Sequence, residues 1–236
     1  MTKTLLKNSE AFINYVADWK TGLALLTMAD VVKQEPGKVV VISVDVINGF
    51  CYDGPLASPR VAAIVDPIAT LFTKSYQAGI QHFILTQDTH LENAIEFEQF
   101  PPHCISGTGE SQTVDKFQTL PFFNKFKLIP KNSLNSLIGT TLEAWLDDHP
   151  QVNTFITVGD CTDLCTYQLA MHLKLRANAR NESVRVILPA DCVDTYDLPV
   201  HIAKEIGAMP HNGDLLHHLF LYHMQLNGIE VVAKLI

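Results

Sequence analysis

A thiol, a carboxylate and an ammonium group stand at three separated points of this chain where one covalent reaction could use all three. The first point is Gly159-Asp-Cys-Thr-Asp-Leu-Cys165. An apolar run ends at Gly159, and Thr162 followed by Asp163 suits the capped first turn of a helix. Cys165 then falls in that first turn, where the positive end of the helix would lower its thiol pKa. Unpaired N–H groups at the same place could hold an oxyanion. The plain alternative is a structural cysteine, since cysteine is among the residues most often buried. Asp45, in Asp45-Val-Ile-Asn-Gly-Phe50, ends another apolar run. A carboxylate there either caps the next turn or acts as a general base. Lys131, after Pro130, reads by itself as a surface lysine. Taken together, the three supply a nucleophile, a group to remove its proton and a cation to balance the charge.

A second set has metal-binding character. Asp88-Thr-His90 is followed by Glu96 and by His103 in Phe100-Pro-Pro-His-Cys104. Carboxylate and imidazole ligands suit zinc, manganese or iron(II). Alternate residues of an extended segment share a side, so Asp88 and His90 can grip one ion. Unrelated loop polars remain the alternative, because Asp-x-His arises often by chance. His217, His218 and His223 have spacings that do not share a helix face; they read as packing or capping residues, and His211 as a loop residue. Cys161 and Cys165 are spaced C-x3-C, unlike the redox C-x-x-C.

The elements that must position these groups alternate. Apolar, β-branched runs at Lys38–Asp45, Gln81–Asp88, Phe126–Pro130, Thr154–Gly159, Val184–Leu188 and Ile229–Ala233 predict strands. Helices are expected over 59–78, 135–148, Thr162 to about Asn178, 200–206 and 214–226, with a loop-rich stretch at 89–125. Residues 1–37 read as a helical lead-in, with Phe12, Tyr15, Val16 and Trp19 at helical spacing before the Pro-Gly at 36–37. Such alternation predicts an α/β fold with a parallel sheet covered on both faces. Ligands of such sheets bind at the carboxyl ends of the strands, where Asp45, Asp88 and the Gly159–Cys165 turn all fall. No compositional break marks a second domain, so 1–236 reads as one domain.

The 236 residues carry 25 acidic and 17 basic side chains, for a formal net charge of −8. Without a Lys/Arg cluster, this argues against nucleic acid or an anionic membrane as partner. No apolar run reaches the roughly 18 residues of a membrane helix. Five dispersed cysteines in a chain without a recognisable leader point to reduced thiols in a cytoplasmic compartment.

In this order, the motifs resemble the nicotinamidase branch of the isochorismatase-like cysteine hydrolases, over about residues 38–235. DVINGF, IPKNSLNSLIG and VGDCTDLCTYQLA look like the stretches bearing that family's Asp–Lys–Cys triad, here Asp45, Lys131 and Cys165. DTHLENAIEFEQFPPHCISGT looks like its metal loop, with Asp88, His90 and His103 as ligands and Glu96 as a fourth. CVDTYDLPVHIAKEIGA and LLHHLFLY are similar to the plant-type members. The resemblance implies a three-layer α/β/α, Rossmann-like sandwich around a mostly parallel six-stranded sheet. It implies a cis peptide before Cys161, with the Cys161 and Cys165 N–H groups as oxyanion hole. Phe50, Phe100 and Cys161 would contact the substrate. One divalent ion, zinc before manganese or iron, would hold a pyridine nitrogen. The implied reaction is hydrolysis of nicotinamide to nicotinate and ammonia through a Cys165 thioester. Asn132-Ser-Leu-Asn-Ser136 departs from the aromatic stretch common in relatives, and Cys161 stands where many have alanine. Two rival readings are a metal-independent amidase or ureide hydrolase of the same superfamily, and a non-catalytic small-ligand-binding protein on the same fold. Self-association, for which the lead-in is one candidate, is left open.

Overall fold

The computed structural model describes residues 2–236. Nine strands are found among them: β1 (Leu25–Leu26), β2 (Val39–Val44), β3 (His82–Asp88), β4 (Phe126–Lys131), β5 (Thr154–Asp160), β6 (Arg185–Pro189), β7 (Val193–Asp194), β8 (Glu230–Val232) and β9 (Lys234–Leu235). The main sheet runs β4-β3-β2-β5-β6-β8, all parallel, with β7 paired to the tip of β5. It therefore has seven strands where six were expected. The seventh is two residues long, too short to leave a periodic signal in the sequence. β1 and β9 form a separate parallel pair.

Strand β2 shows why its sequence is apolar throughout. All six of its residues are buried. Val39 and Val41 point into a core shared with Val61, Ile68 and Phe72. Val40, Ile42 and Val44 point into a second core with Leu142, Leu169, Leu221 and Met224. The period-2 alternation of a strand thus feeds two cores at once, one on each face. Helices Pro59–Ala63 and Val65–Gln77 cover the first face; Leu142–Asp148, Cys165–Arg180 and Gly213–Leu226 cover the second.

Several helices differ from the sequence expectation for local reasons. The 59–78 helix is broken at Ile64, because Pro67 lacks the N–H an unbroken helix would need. The 135–148 helix starts only at Leu142. In its first part the Asn135 carboxamide oxygen accepts from the Leu137 and Ile138 N–H groups, and the Thr140 hydroxyl donates to the Ser136 carbonyl, bonds that compete with a helix. The lead-in helix Thr2–Thr21 lies on the helix Gly213–Leu226, with Phe12, Tyr15 and Trp19 edge-on to Tyr222 at 5.3–5.9 Å. No helix among the described residues is long and apolar enough to cross a membrane.

The strand tips are set by register. Asp88 lies directly beside Lys131 across β3–β4, and Val44 beside Gly159 across β2–β5. Gly159 has φ +116°, and a Cβ there would clash with the Val44 carbonyl oxygen. Only glycine accepts both the backbone angle and the close approach. Gly159→Ala is expected to destabilise the fold by more than about 3 kcal/mol. Urea denaturation checks this; a loss below about 1 kcal/mol would contradict it.

Candidate active site

Asp45 follows β2 with φ +56°, a left-handed conformation that Asp tolerates better than most residues. This bend aims its side chain across the sheet tips. One carboxylate oxygen accepts from the Asp88 N–H at 2.7 Å, and the other lies 2.8 Å from Lys131 Nζ. Lys131 Nζ also donates to Asp88 at 2.5 Å and to the Ser133 carbonyl at 3.2 Å, and lies 3.7 Å from Cys165 Sγ. Far from being a surface lysine, Lys131 is only 2% exposed. The three residues picked from separate motifs thus meet at the carboxyl end of the sheet, with Asp88 as a fourth member.

Proton affinities follow from this burial. Burial works against the Lys131 ammonium, but Asp45, Asp88 and Cys165 outweigh it and raise its pKa well above normal. Burial likewise favours a neutral Asp88, yet Lys131 and His90 hold it below the usual carboxylate range. Asp45 is left as the weaker partner: burial and the Asp88 charge push it up to about 7 against the pull of Lys131. Cys165 is also raised, by burial first and then by Asp45 and Asp88, against Lys131. This corrects the expectation of a lowered thiol pKa. A helix end contributes at most about 2 kcal/mol, and it works here against a dry site beside two carboxylates.

The helix itself also starts later than expected. It spans Cys165–Arg180, and its N-cap position is Leu164, with no side-chain cap. Thr162 does not cap it; its hydroxyl pairs with His217 Nδ1 at 2.8 Å. The peptide Asp160–Cys161 is cis, as the resemblance implied. The Cys161 carbonyl accepts from both Leu164 and Thr166. Neither the Cys161 nor the Cys165 N–H donates to a protein acceptor among the described residues. Both residues line one cavity of ≈ 270 Å³, together with Phe50, Phe100, Tyr196 and Met209. Asp160, which the sequence does not single out, is buried; burial and the neighbouring Asp45, Asp163 and Asp88 carboxylates raise its pKa well above the usual carboxylate range.

Asp88, His90 and His103 come together beside this cavity. His90 Nε2 lies 3.5 Å and His103 Nε2 3.9 Å from the Asp88 oxygens. His90 Nδ1 is engaged by the Asn132 carboxamide oxygen at 3.2 Å, and His103 Nδ1 by the Pro101 carbonyl at 2.8 Å. Each ring therefore donates through Nδ1 and turns its Nε2 toward Asp88. His90 Nε2 and the Glu96 Oε1 atom are buried without a hydrogen-bond partner among the described residues. Such buried, unpartnered nitrogen and oxygen atoms fit the ligand set of a divalent cation. The sequence presents Asn132 only as part of a departure from relatives. The usable signal was its place directly after Lys131, the register neighbour of Asp88. Asn132→Ala should weaken divalent-metal affinity about 10- to 100-fold, as read by competition with a chromophoric chelator; unchanged affinity would contradict the orienting role.

Known proteins bear on this geometry. Residues 39–213 match the model of the isochorismatase domain. Nicotinamidase 1 of Arabidopsis thaliana is 31% identical over 219 residues, covering 84% of this chain and 86% of that protein. The nicotinamidase/pyrazinamidase of Mycobacterium tuberculosis is 28% identical over 148 residues, covering 55% and 75%. Among solved structures, the pyrazinamidase of Pyrococcus horikoshii in complex with zinc superposes with a TM-score of 0.64 at 22% identity, over 83% of this chain and 98% of that one.

Proposed function

Since the chain belongs to the isochorismatase family and is an amidohydrolase, we propose that it hydrolyses nicotinamide to nicotinate and ammonia, with Cys165 as nucleophile. The observation that carries this reading is the buried contact of Lys131 with Asp45, Asp88 and Cys165, of which Asp88 and Cys165 line a mainly apolar cavity. On this reading the whole chain works as one hydrolase domain, with residues 1–37 as its cover.

The reaction begins with a proton on sulfur, because Cys165 is the weaker acid of the Asp45/Cys165 pair. Asp45 takes that proton as Sγ attacks the carboxamide carbon. Its pKa of about 7 suits a group that must both accept and return a proton near neutrality. Lys131 keeps the combined charge of the dry site tolerable throughout. The carbonyl oxygen, now anionic, is received by the Cys161 and Cys165 N–H groups. Asp45 passes its proton to the nitrogen, ammonia leaves, and the acyl group stays on Sγ as a thioester. Water then attacks the thioester with Asp45 again as base, releasing nicotinate and restoring the thiol. Phe50 and Phe100 wall the cavity against the ring and keep bulk water away.

Asp88, His90 and His103, with Glu96 as fourth, would hold a divalent cation, zinc by choice. Such an ion would supply a Lewis acid for the pyridine nitrogen and so fix the ring's orientation. The unpartnered His90 Nε2 and Glu96 Oε1 favour this over a metal-independent amidase.

Ammonia release from nicotinamide by metal-loaded enzyme tests the reading. Cys165→Ala should lose at least ~10⁴-fold in kcat while keeping the wild-type melting profile. Asp45→Asn should lose at least ~10³-fold, because it removes the proton carrier of both half-reactions. A Cys165→Ala enzyme with near-normal turnover would sink the assignment.

A further inference from the structure

The turn that bears the Cys161 and Cys165 N–H groups has no side-chain cap from the helix it leads into, and its backbone bonds from Leu164 and Thr166 reach only the Cys161 carbonyl. Its side chains are held from a later part of the chain. The Thr162 N–H donates to the Asp194 carbonyl at 2.9 Å. The Asp163 carboxylate, midway between the two cysteines, accepts from the Thr195 hydroxyl at 2.6 Å and from His211 Nε2 at 2.7 Å. His211 Nδ1 is itself 2.9 Å from the Tyr196 carbonyl oxygen, and its backbone bridges antiparallel to Leu198. The Tyr196 ring stacks on the His211 ring with centroids 3.8 Å apart, and Tyr196 and Leu198 both line the cavity that holds Cys165. Burial would raise the pKa of Asp163, but the bonds from His211 and Thr195 hold it below the usual carboxylate range.

We propose that the buried Asp163–His211 pair is a positioning device: it fixes the oxyanion turn at Cys161–Cys165 and locks it to the Tyr196–Leu198 wall of the substrate cavity. The proposal rests on the reading of Cys165 as nucleophile and of the turn as its oxyanion site. A carboxylate that accepts two side-chain hydrogen bonds from separate residues leaves its backbone little freedom. The two N–H donors on either side of Asp163 inherit that rigidity. Preorganised donors are worth most where no reorganisation is needed as charge develops. A displacement of the order of 1 Å at such a site costs about 10²-fold in rate. His211, which the sequence presents as an ordinary loop residue, is on this account a positioning residue of the reaction.

Wild type, His211→Ala and His211→Gln, each full-length and metal-loaded, decide the matter by two readouts taken well below the melting transition. Glutamine places an amide N–H near the position of Nε2 and can still donate to Asp163. In His211→Ala, amide exchange of a peptide spanning 160–168 should speed up at least about tenfold, with β2 unchanged, and in His211→Gln it should return close to wild type. The kcat for nicotinamide should fall about 10- to 100-fold in His211→Ala with KM within about threefold, and recover in His211→Gln. A His211→Ala enzyme that melts earlier but exchanges and turns over like wild type would assign His211 to stability alone and overturn the proposal. If wild type releases no ammonia from nicotinamide, the substrate reading fails, and the exchange comparison still judges the clamp by itself.

Discussion

A primary ammonium group 2% exposed, with carboxylates 2.5 and 2.8 Å away, is the constraint on which this structure turns. Lys131 could not be charged there without Asp88 and Asp45, and neither carboxylate could be ionised there without Lys131. Removing one member of such a buried set typically costs about 3–5 kcal/mol, because the others are left uncompensated. One positive charge cannot fully balance two carboxylates and a thiolate. Asp88 takes the closest contact, while burial and the Asp88 charge push Asp45 up to about 7. On the proposed mechanism, the proton exchanged between Asp45 and Cys165 is the one that acyl transfer must move.

The sheet supplies this arrangement through register. Asp88 and Lys131 are direct neighbours across two parallel strands, so their pairing needs no loop to bring it about. Asp45 reaches them because the chain after β2 turns left-handed. Cys165 reaches them because β5 has Gly159 one residue before its end, and the lack of a side chain there lets the strand press against Val44. The site is built on strand ends fixed by two cores, so its geometry inherits the rigidity of the sheet. The metal-type cluster hangs from the same frame: Asp88 is its first member, and Asn132, next to Lys131, orients His90.

Most of this frame was legible in the sequence because buried parallel strands are nearly uniform in composition and end at polar residues. Asp45 and Cys165 could be singled out from those ends, Lys131 only in company with them and through the family resemblance, and Asp88, His90 and His103 from ligand chemistry. What could not be read arises from contacts between distant segments. Thr162 and Asp163 look like a helix start, but His217, Thr195 and His211 capture their side chains. The helix therefore begins at Cys165. The direction of the Cys165 pKa depends on how dry the site is and how near the two carboxylates lie, neither of which a local motif reports. Strand β7 and the shortened Leu142–Asp148 helix are cases where a two-residue pairing or a side-chain bond decides what periodicity cannot.

The most direct test of the account is a crystal structure of the metal-loaded enzyme with pyridine-3-carboxaldehyde, which offers the same ring and an electrophilic carbon but no leaving group. The account predicts a covalent bond from Cys165 Sγ to the aldehyde carbon, the resulting oxygen within hydrogen-bond reach of the Cys161 and Cys165 N–H groups, and the ring nitrogen turned toward Asp88, His90 and His103. An aldehyde bound without a bond to Cys165, or attached with its oxygen away from that turn, would contradict it.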